Sequence, residues 1–102
     1  MEYGLTDEAE EDIREIIRYT LRTWGRSHVQ KYREALNHCL ERLGRGGVKS
    51  AVVYPSLPDV FSFRCQHHFI FFTEDEAGYL VIAVLHERQN PAVHLLGRGP
   101  RA

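Results

Sequence analysis

Two stretches of helical hydrophobic spacing follow one another with almost no chain between them. The first begins at the capping candidates Thr6 and Asp7 and runs to Trp24, and the second continues to Gly44. In both stretches apolar residues recur every third or fourth position, which is typical of an amphipathic α-helix with one buried stripe. Because only about two residues around Gly25 separate them, the helices must fold back as an antiparallel hairpin. Each helix has a single apolar stripe, so the hairpin needs a partner layer.

After the second helix the hydrophobic period changes to two. The intervening loop contains several glycines and prolines and a short extended piece at 51–54. Alternation then predicts three strands, the last of them apolar nearly throughout and therefore central, at 61–65, 68–73 and 79–86. A short N-terminal strand at 3–5 completes the pattern. We therefore predict a two-layer α+β fold of order β-α-α-β-β-β, in which an N-terminal strand and a three-stranded antiparallel meander support the helical hairpin.

The length of 102 residues fits a single domain, which we place at residues 1–96, with a flexible tail at 97–102. No apolar run approaches the length of a membrane span, and the first residues lack the features of a signal peptide. We therefore expect a cytoplasmic protein. In that reducing compartment the two cysteines, Cys39 and Cys65, are expected to be free thiols.

The net charge of -1 hides two opposed blocks. Residues 1–12 carry six acidic side chains and no Lys or Arg, whereas residues 13–50 carry nine Lys or Arg against three Glu. The balanced total argues against a general nucleic-acid binder. Within the basic block Arg14, Arg18 and Arg22 recur at every fourth position and line one face of the first helix. This stripe is either a solvated basic face or a surface that receives an acidic partner segment.

Polar side chains collect at the ends of the predicted strands. Arg64 lies on the polar side of its strand, His86 and Arg88 follow the central strand, and His94 comes shortly afterwards. An arginine and a histidine together can hold a phosphate and move a proton. The alternative is that Arg64 forms a cross-strand pair with a turn carboxylate and that the histidines are solvated. Recognised catalytic and metal-binding spacings are missing, so we expect no metal and no cofactor.

Four stretches in a fixed order resemble the ParE family within the ParE/RelE toxin superfamily of bacterial toxin–antitoxin systems. They are the LTDEAEEDI opening at 5–13, the helix end with Trp24 and Gly25 at 19–25, the strand pair with Arg64 and His68 at 63–72, and the central strand with its continuation at 82–91. Tyr32 in the second helix fits the same pattern. The resemblance implies the two-layer fold predicted above from hydrophobic spacing.

The resemblance also implies a function. ParE relatives inhibit DNA gyrase and block replication, and a cognate antitoxin neutralises them by wrapping its C-terminal segment around the toxin. We accordingly expect a growth-inhibiting toxin of a plasmid-stabilisation type, in a heterotetrameric or larger complex with its antitoxin. We expect no membrane partner and no direct sequence-specific nucleic acid. RelE relatives instead cleave mRNA on the ribosome, and a toxin-like binding module without toxicity is a third alternative. The chain has only two lysines, which favours the ParE interpretation and a non-catalytic inhibitor over an enzyme.

Site residues follow from these alternatives. For a gyrase inhibitor the expected target-binding residues are Arg64, His68, His86, Arg88 and His94. For antitoxin binding the expected residues lie on the hairpin and are Arg14, Arg18, Arg22, Trp24 and Tyr32. If the chain were an endoribonuclease, the catalytic residues would be Arg64, His86 and His94, with arginine holding the phosphate and a histidine acting as acid or base.

Overall fold

The computed structural model describes residues 2–46 and 48–98 and confirms the predicted α+β fold. The elements in chain order are β1 (Glu2–Leu5), α1 (Asp7–Trp24), α2 (Arg26–Gly44), β2 (Val52–Tyr54), β3 (Leu57–Cys65), β4 (His68–Asp75), β5 (Gly78–His86) and α3 (Pro91–His94). The strands form one sheet in the order β1-β5-β4-β3-β2. The α1–α2 hairpin covers one face of this sheet. No helix within the described residues has the length and apolar character to cross a membrane.

The sheet differs from the prediction at its two edges. β2, predicted only as an extended piece of a loop, pairs antiparallel with β3 and becomes the fifth strand. β1 joins the opposite edge and runs parallel to β5, while the other strand pairs are antiparallel. The tight turn between β3 and β4 is formed by Gln66 and His67, and Gln66 has a φ of 59°. This turn brings the ends of β3 and β5 to one side of the molecule.

Capping fixes the limits of α1. The Oγ1 of Thr6 accepts a hydrogen bond from the backbone N–H of Ala9 at 3.1 Å, so the predicted N-cap is confirmed. At the other end the Gly25 N–H donates to the carbonyl oxygens of Thr20 and Leu21. Gly25 has a φ of 89°, which glycine adopts without the steric cost of a side chain. Because α2 begins at the next residue, one glycine makes the whole hairpin corner.

The core has two parts, one on each face of the sheet. The helix-side cluster joins the buried stripe of the hairpin, including Leu36, Leu40 and Leu43, to inward side chains of β3, β4 and β5. On the other face, Leu95 from the segment after α3 packs against the sheet and is 1% exposed. β5 is therefore covered on both sides, as predicted from its apolar run. Each large apolar side chain buried in this way contributes about 1.5–3 kcal/mol.

The two cysteines form a disulfide between α2 and β3, so the expectation of free thiols was wrong. Cys39 lies on the buried stripe of α2, and the alternation of β3 turns Cys65 towards the same interface. Their Cα atoms are 6.3 Å apart, which is within the range that a disulfide bridges. The expectation rested on the cellular compartment and did not take account of this proximity.

Asp12 completes the edge of β5 where β1 ends. The last paired residues of β1 and β5 are Leu5 and Val81. Beyond them Asp12 Oδ2 accepts the Val84 N–H at 3.1 Å, and both carboxylate oxygens accept from the guanidinium of Arg98 at 2.6 and 3.2 Å. Arg98 was predicted to lie in the flexible tail, but this ion pair holds it with only 18% of its side chain exposed. The rest of the predicted tail, 99–102, lies outside the described residues.

Candidate functional site

The ends of β3 and β5 place a charged cluster on the face of the sheet opposite the helices. We call Arg64, His67, Phe69 and Glu87 the Arg64 cluster. Arg64 Nη1 donates to Glu87 Oε2 at 2.7 Å, and the guanidinium carbon lies 4.7 Å from the centre of the Phe69 ring. His67 Nδ1 lies 3.5 Å from the other carboxylate oxygen. The pairing of Arg64 with a turn carboxylate, one of the two alternatives from sequence, is therefore confirmed.

The ion pair fixes the charge state of Glu87 and the direction of the Arg64 side chain. The hydrogen bond from Arg64 lowers the pKa of Glu87 below its ordinary value, so the carboxylate stays ionised near neutral pH. Arg64 remains 54% exposed although it is paired. It thus presents a fixed cation that still has donors available to a second partner.

His86 and His68 lie on the other, helix-facing side of the sheet. They are opposite each other across β5 and β4, and their ring centres are 5.2 Å apart. His86 Nδ1 accepts the backbone N–H of Arg88 at 3.1 Å, which leaves Nε2 as the donor atom of the ring. The backbone N–H of His86 donates to Gln89 Oε1 at 2.7 Å. These bonds shape the turn that carries Glu87 and Arg88.

His68 is packed against Tyr32 of α2. Their ring centres are 5.2 Å apart, and both His68 Nδ1 and the Tyr32 hydroxyl are buried without a hydrogen-bond partner among the described residues. Burial, together with the neighbouring His86 and His67, lowers the pKa of His68 to about 4. Burial also raises the pKa of Tyr32. Both rings are therefore neutral near pH 7 and act as packing groups between α2 and the sheet.

The three residues expected for a ribonuclease are not assembled. Arg64 and His86 lie on opposite faces of the sheet. His94 is half-buried on α3, and in the part of the chain that the structure describes its side chain makes no hydrogen bond, ion pair or ring contact. Arg88 is exposed on the turn after β5. Across residues 2–46 and 48–98, no group of three or more His, Cys, Asp or Glu is arranged to hold a metal ion.

The expected basic stripe of α1 is largely neutralised. Arg18 Nη2 lies 2.6 Å from oxygens of both Glu11 and Glu15, and Arg14 Nε lies 3.3 Å from Glu11. The hydrogen bond from Arg18 lowers the pKa of Glu11. These acidic residues are one helical turn or two away, a spacing that the sequence interpretation did not match to the arginines. Arg22 alone of the three has no such partner among the described residues.

Apolar side chains are exposed along the second half of α1. Trp24, one of the residues expected to bind an antitoxin, lies at the hairpin corner with 62% of its surface exposed. Its ring contacts His28, with ring centres 5.5 Å apart. Tyr19 and Leu21 are 58% and 49% exposed. Neither was among the expected site residues. Leu21 follows Ile17 at a four-residue spacing and was counted with the buried stripe, whereas Tyr19 falls outside that spacing, which is the signal that could have shown it.

Comparison with known proteins agrees with this architecture. Residues 3–91 match the family model described as the ParE toxin of the type II toxin–antitoxin system parDE. A curated relative, Toxin ParE from Escherichia coli, is 40% identical over 98 residues, which cover 94% of each chain. A solved structure titled as the chromosomal ParDE TA system from P. aeruginosa superposes with a TM-score of 0.73 at 14% identity, covering 84% of this chain and 95% of that one. At that identity the superposition shows the fold alone.

Proposed function

This chain belongs to the ParE toxin family of type II toxin–antitoxin systems, and from that membership we propose that it inhibits DNA gyrase and is neutralised by a cognate antitoxin. The observation that carries the choice of mechanism is the Arg64–Glu87 ion pair. It engages the arginine with a carboxylate on the sheet face opposite the His86 side chain, which favours a binding surface over an acid–base site. The free toxin would act in the cytoplasm.

The target-binding surface in this proposal is formed by the Arg64 cluster and the chain after β5. Arg64 and Arg88 supply exposed cations, and His94 lies in the segment that follows. Val93 and Leu96 in the same segment are 64% and 85% exposed, so an apolar contact lies next to the charged one. His68 and His86 lie on the opposite face of the sheet and contribute indirectly, because their packing positions the turn that carries Glu87 and Arg88.

The antitoxin-binding surface in this proposal is the outer side of the helical hairpin. Leu21 and Trp24 offer exposed apolar area for a partner segment, and Arg22 adds an unpaired cation. Arg14 and Arg18 would exchange their glutamate partners for an acidic antitoxin segment. Tyr32 contributes by fixing α2 on the sheet, since its ring is packed against His68. Two toxin–antitoxin pairs or more would make up the heterotetrameric or larger complex.

A supercoiling assay with purified gyrase tests the proposal. Wild-type protein is expected to inhibit supercoiling and accumulate cleaved DNA, and added antitoxin is expected to restore activity. Arg64→Ala should inhibit more weakly by about tenfold or more, because a charged hydrogen bond at a binding surface is worth about 1.5–3 kcal/mol. Arg42→Gln removes an exposed charge from the far end of α2 and should inhibit as the wild type does.

Three results would contradict the proposal. Full gyrase activity at excess toxin excludes gyrase inhibition. Codon-phased cuts in translated mRNA, mapped by primer extension, would identify an endoribonuclease of RelE type instead. Harmless overexpression without any antitoxin would indicate a binding module that has no toxicity.

A further inference from the structure

The corner of the helical hairpin is strongly and exclusively basic. We call residues 22–33 the hairpin tip; they comprise the last turn of α1, Gly25 and the first two turns of α2. The chain has no Asp or Glu from residue 16 to residue 33. Four exposed cations lie in the tip, and none has an ion pair or a side-chain hydrogen bond within the described residues: Arg22, Arg26, Lys31 and Arg33.

These cations are arranged around one corner of the fold. Arg26 and Arg33 are seven residues apart on α2 and therefore share a face of that helix. Arg22 lies in the last turn of α1, three residues before the glycine that joins the helices. Arg22 and Arg26 thus flank the junction, Arg33 follows two turns along α2, and no Asp or Glu lies between them in the chain. Guanidinium groups in this setting favour bidentate contacts with phosphate oxygens.

The hairpin tip also carries the only tryptophan of the chain. Trp24 is 62% exposed, and its one aromatic neighbour is the His28 ring, inclined to it by 31°. An indole left this open has a face free for stacking. Aromatic platforms between cations are the device by which proteins hold unstacked bases, at about 1–3 kcal/mol per base.

The acidic block of the chain does not cancel this field. Its last member, Asp12, is ten residues before Arg22 on the same helix, so roughly 15 Å of helix separate the block from the tip. That distance is about twice the screening length at physiological ionic strength. A ligand at the hairpin tip therefore experiences the local charge, although the total charge of the chain is -1.

We propose that in the free protein the hairpin tip binds single-stranded nucleic acid without sequence preference, with phosphates on Arg22, Arg26 and Arg33 and a base stacked on Trp24. The alternation of cations with a planar ring fits a strand in which phosphates and bases alternate. A peptide made of acidic residues alone would use the cations but has no ring to stack on the indole. This inference goes beyond gyrase inhibition and does not depend on it. An antitoxin that covers Trp24 would compete for the same surface.

Tryptophan fluorescence tests the inference at the site itself, because Trp24 is the only source of indole emission. A titration with a thymidine 20-mer at low salt is expected to quench this emission to saturation. The logarithm of the binding constant should fall with the logarithm of salt concentration, with a slope of about -2 for three phosphate contacts on a single strand. Arg22→Gln/Arg26→Gln should weaken binding by at least tenfold and reduce the magnitude of the slope to about 0.7.

The matched control is Arg42→Gln/Lys49→Gln, which removes two exposed cations outside the hairpin tip and should retain the wild-type slope. Circular dichroism of both double variants checks that they are folded. Three results overturn the proposal: no quenching, equal loss of affinity in both double variants, and equally tight binding of a polyglutamate peptide. None of these outcomes depends on gyrase, so the inference and the proposed function can fail separately.

Discussion

Asp12 connects three parts of the chain through one carboxylate. It accepts the Val84 N–H from β5 and both guanidinium N–H groups of Arg98, and only 14% of its side chain is exposed. Asp12→Ala would leave a buried cation and a strand N–H without partners. We expect the free energy of unfolding to fall by about 3 kcal/mol, because removing one partner of a buried ion pair has that cost. Urea titration measures it.

A graded series keeps this prediction decisive even if the alanine variant does not fold. Asp12→Asn retains an acceptor for Val84 but loses the charge, so it should lie between the wild type and the alanine variant. Asp59→Ala removes an exposed carboxylate on β3 and should change stability by less than about 0.5 kcal/mol. Equal stability of Asp12→Ala and Asp59→Ala would show that the network contributes nothing.

His68 gives the fold a pH dependence of known sign. Its pKa is lowered to about 4 in the folded state by burial and by the nearby His86 and His67, partly offset by Glu87. The unfolded chain therefore binds more protons than the folded chain between the unfolded pKa of about 6.5 and the folded pKa of about 4. The free energy of unfolding has its full value above about pH 6.5 and decreases as the pH falls towards 4.

The expected loss between about pH 7 and about pH 5 is roughly 1 kcal/mol after allowance for the half-exposed ring. His68→Phe keeps the aromatic packing and removes the titration, so it should lose less stability over this interval. His38→Gln, which removes an exposed histidine of α2, should behave as the wild type does. The same pH slope in the wild type and in His68→Phe would contradict the assignment.

At the scale of elements, the disulfide joins the middle of α2 to the end of β3. It encloses a separation of 26 residues, for which the constraint on the unfolded chain is worth about 3 kcal/mol. Reductant should lower the unfolding free energy of the wild type by about this amount. Cys39→Ala/Cys65→Ala should show the lower stability and no response to reductant. A wild type that is equally stable with and without reductant would contradict a structural role for the bond.

The hairpin corner provides a second test at this scale. Because Trp24 is mostly exposed, its emission in the folded protein should lie close to that of free tryptophan. Unfolding should therefore change far-UV circular dichroism strongly and shift the emission little. Antitoxin binding should shift the emission to the blue. A strongly blue-shifted emission in the isolated protein would mean that the indole is buried.

Local sequence patterns predicted the helices and strands, whereas contacts between residues distant in sequence were revealed only by the structure. The Thr6 cap, the hairpin at Gly25 and the alternation of β3 are set by neighbouring residues, and each was predicted correctly. The disulfide and the Asp12–Arg98 pair join residues 26 and 86 positions apart, and no local period encodes them. In the candidate site, alternation correctly placed Arg64 on the polar face. It could not show that Glu87 holds it.

The whole molecule depends on its last described turn. Leu95 fills the core on the sheet face opposite the helices, and Arg98 neutralises Asp12. A chain ending at His94 loses the burial of Leu95, worth about 2 kcal/mol of unfolding free energy, and the Arg98–Asp12 ion pair, worth about 3 kcal/mol. Since small domains are stable by only about 5–15 kcal/mol, this truncation should unfold at much lower urea concentration or remain unfolded. Val93→Ser changes a residue that is 64% exposed and should leave the midpoint nearly unchanged.

The pairing of β1 with β5 has a consequence for the time at which the protein becomes active. β1, the first strand of the chain, pairs with β5, the last one, and the carboxylate of Asp12 pairs with Arg98, which follows β5. Contacts this distant in sequence form late, because a long loop must close first. While the ribosome still holds the second half of the chain, the sheet lacks a central strand. The nascent chain therefore cannot complete its fold, or the target-binding surface proposed above, until β5 and the segment after it have been synthesised.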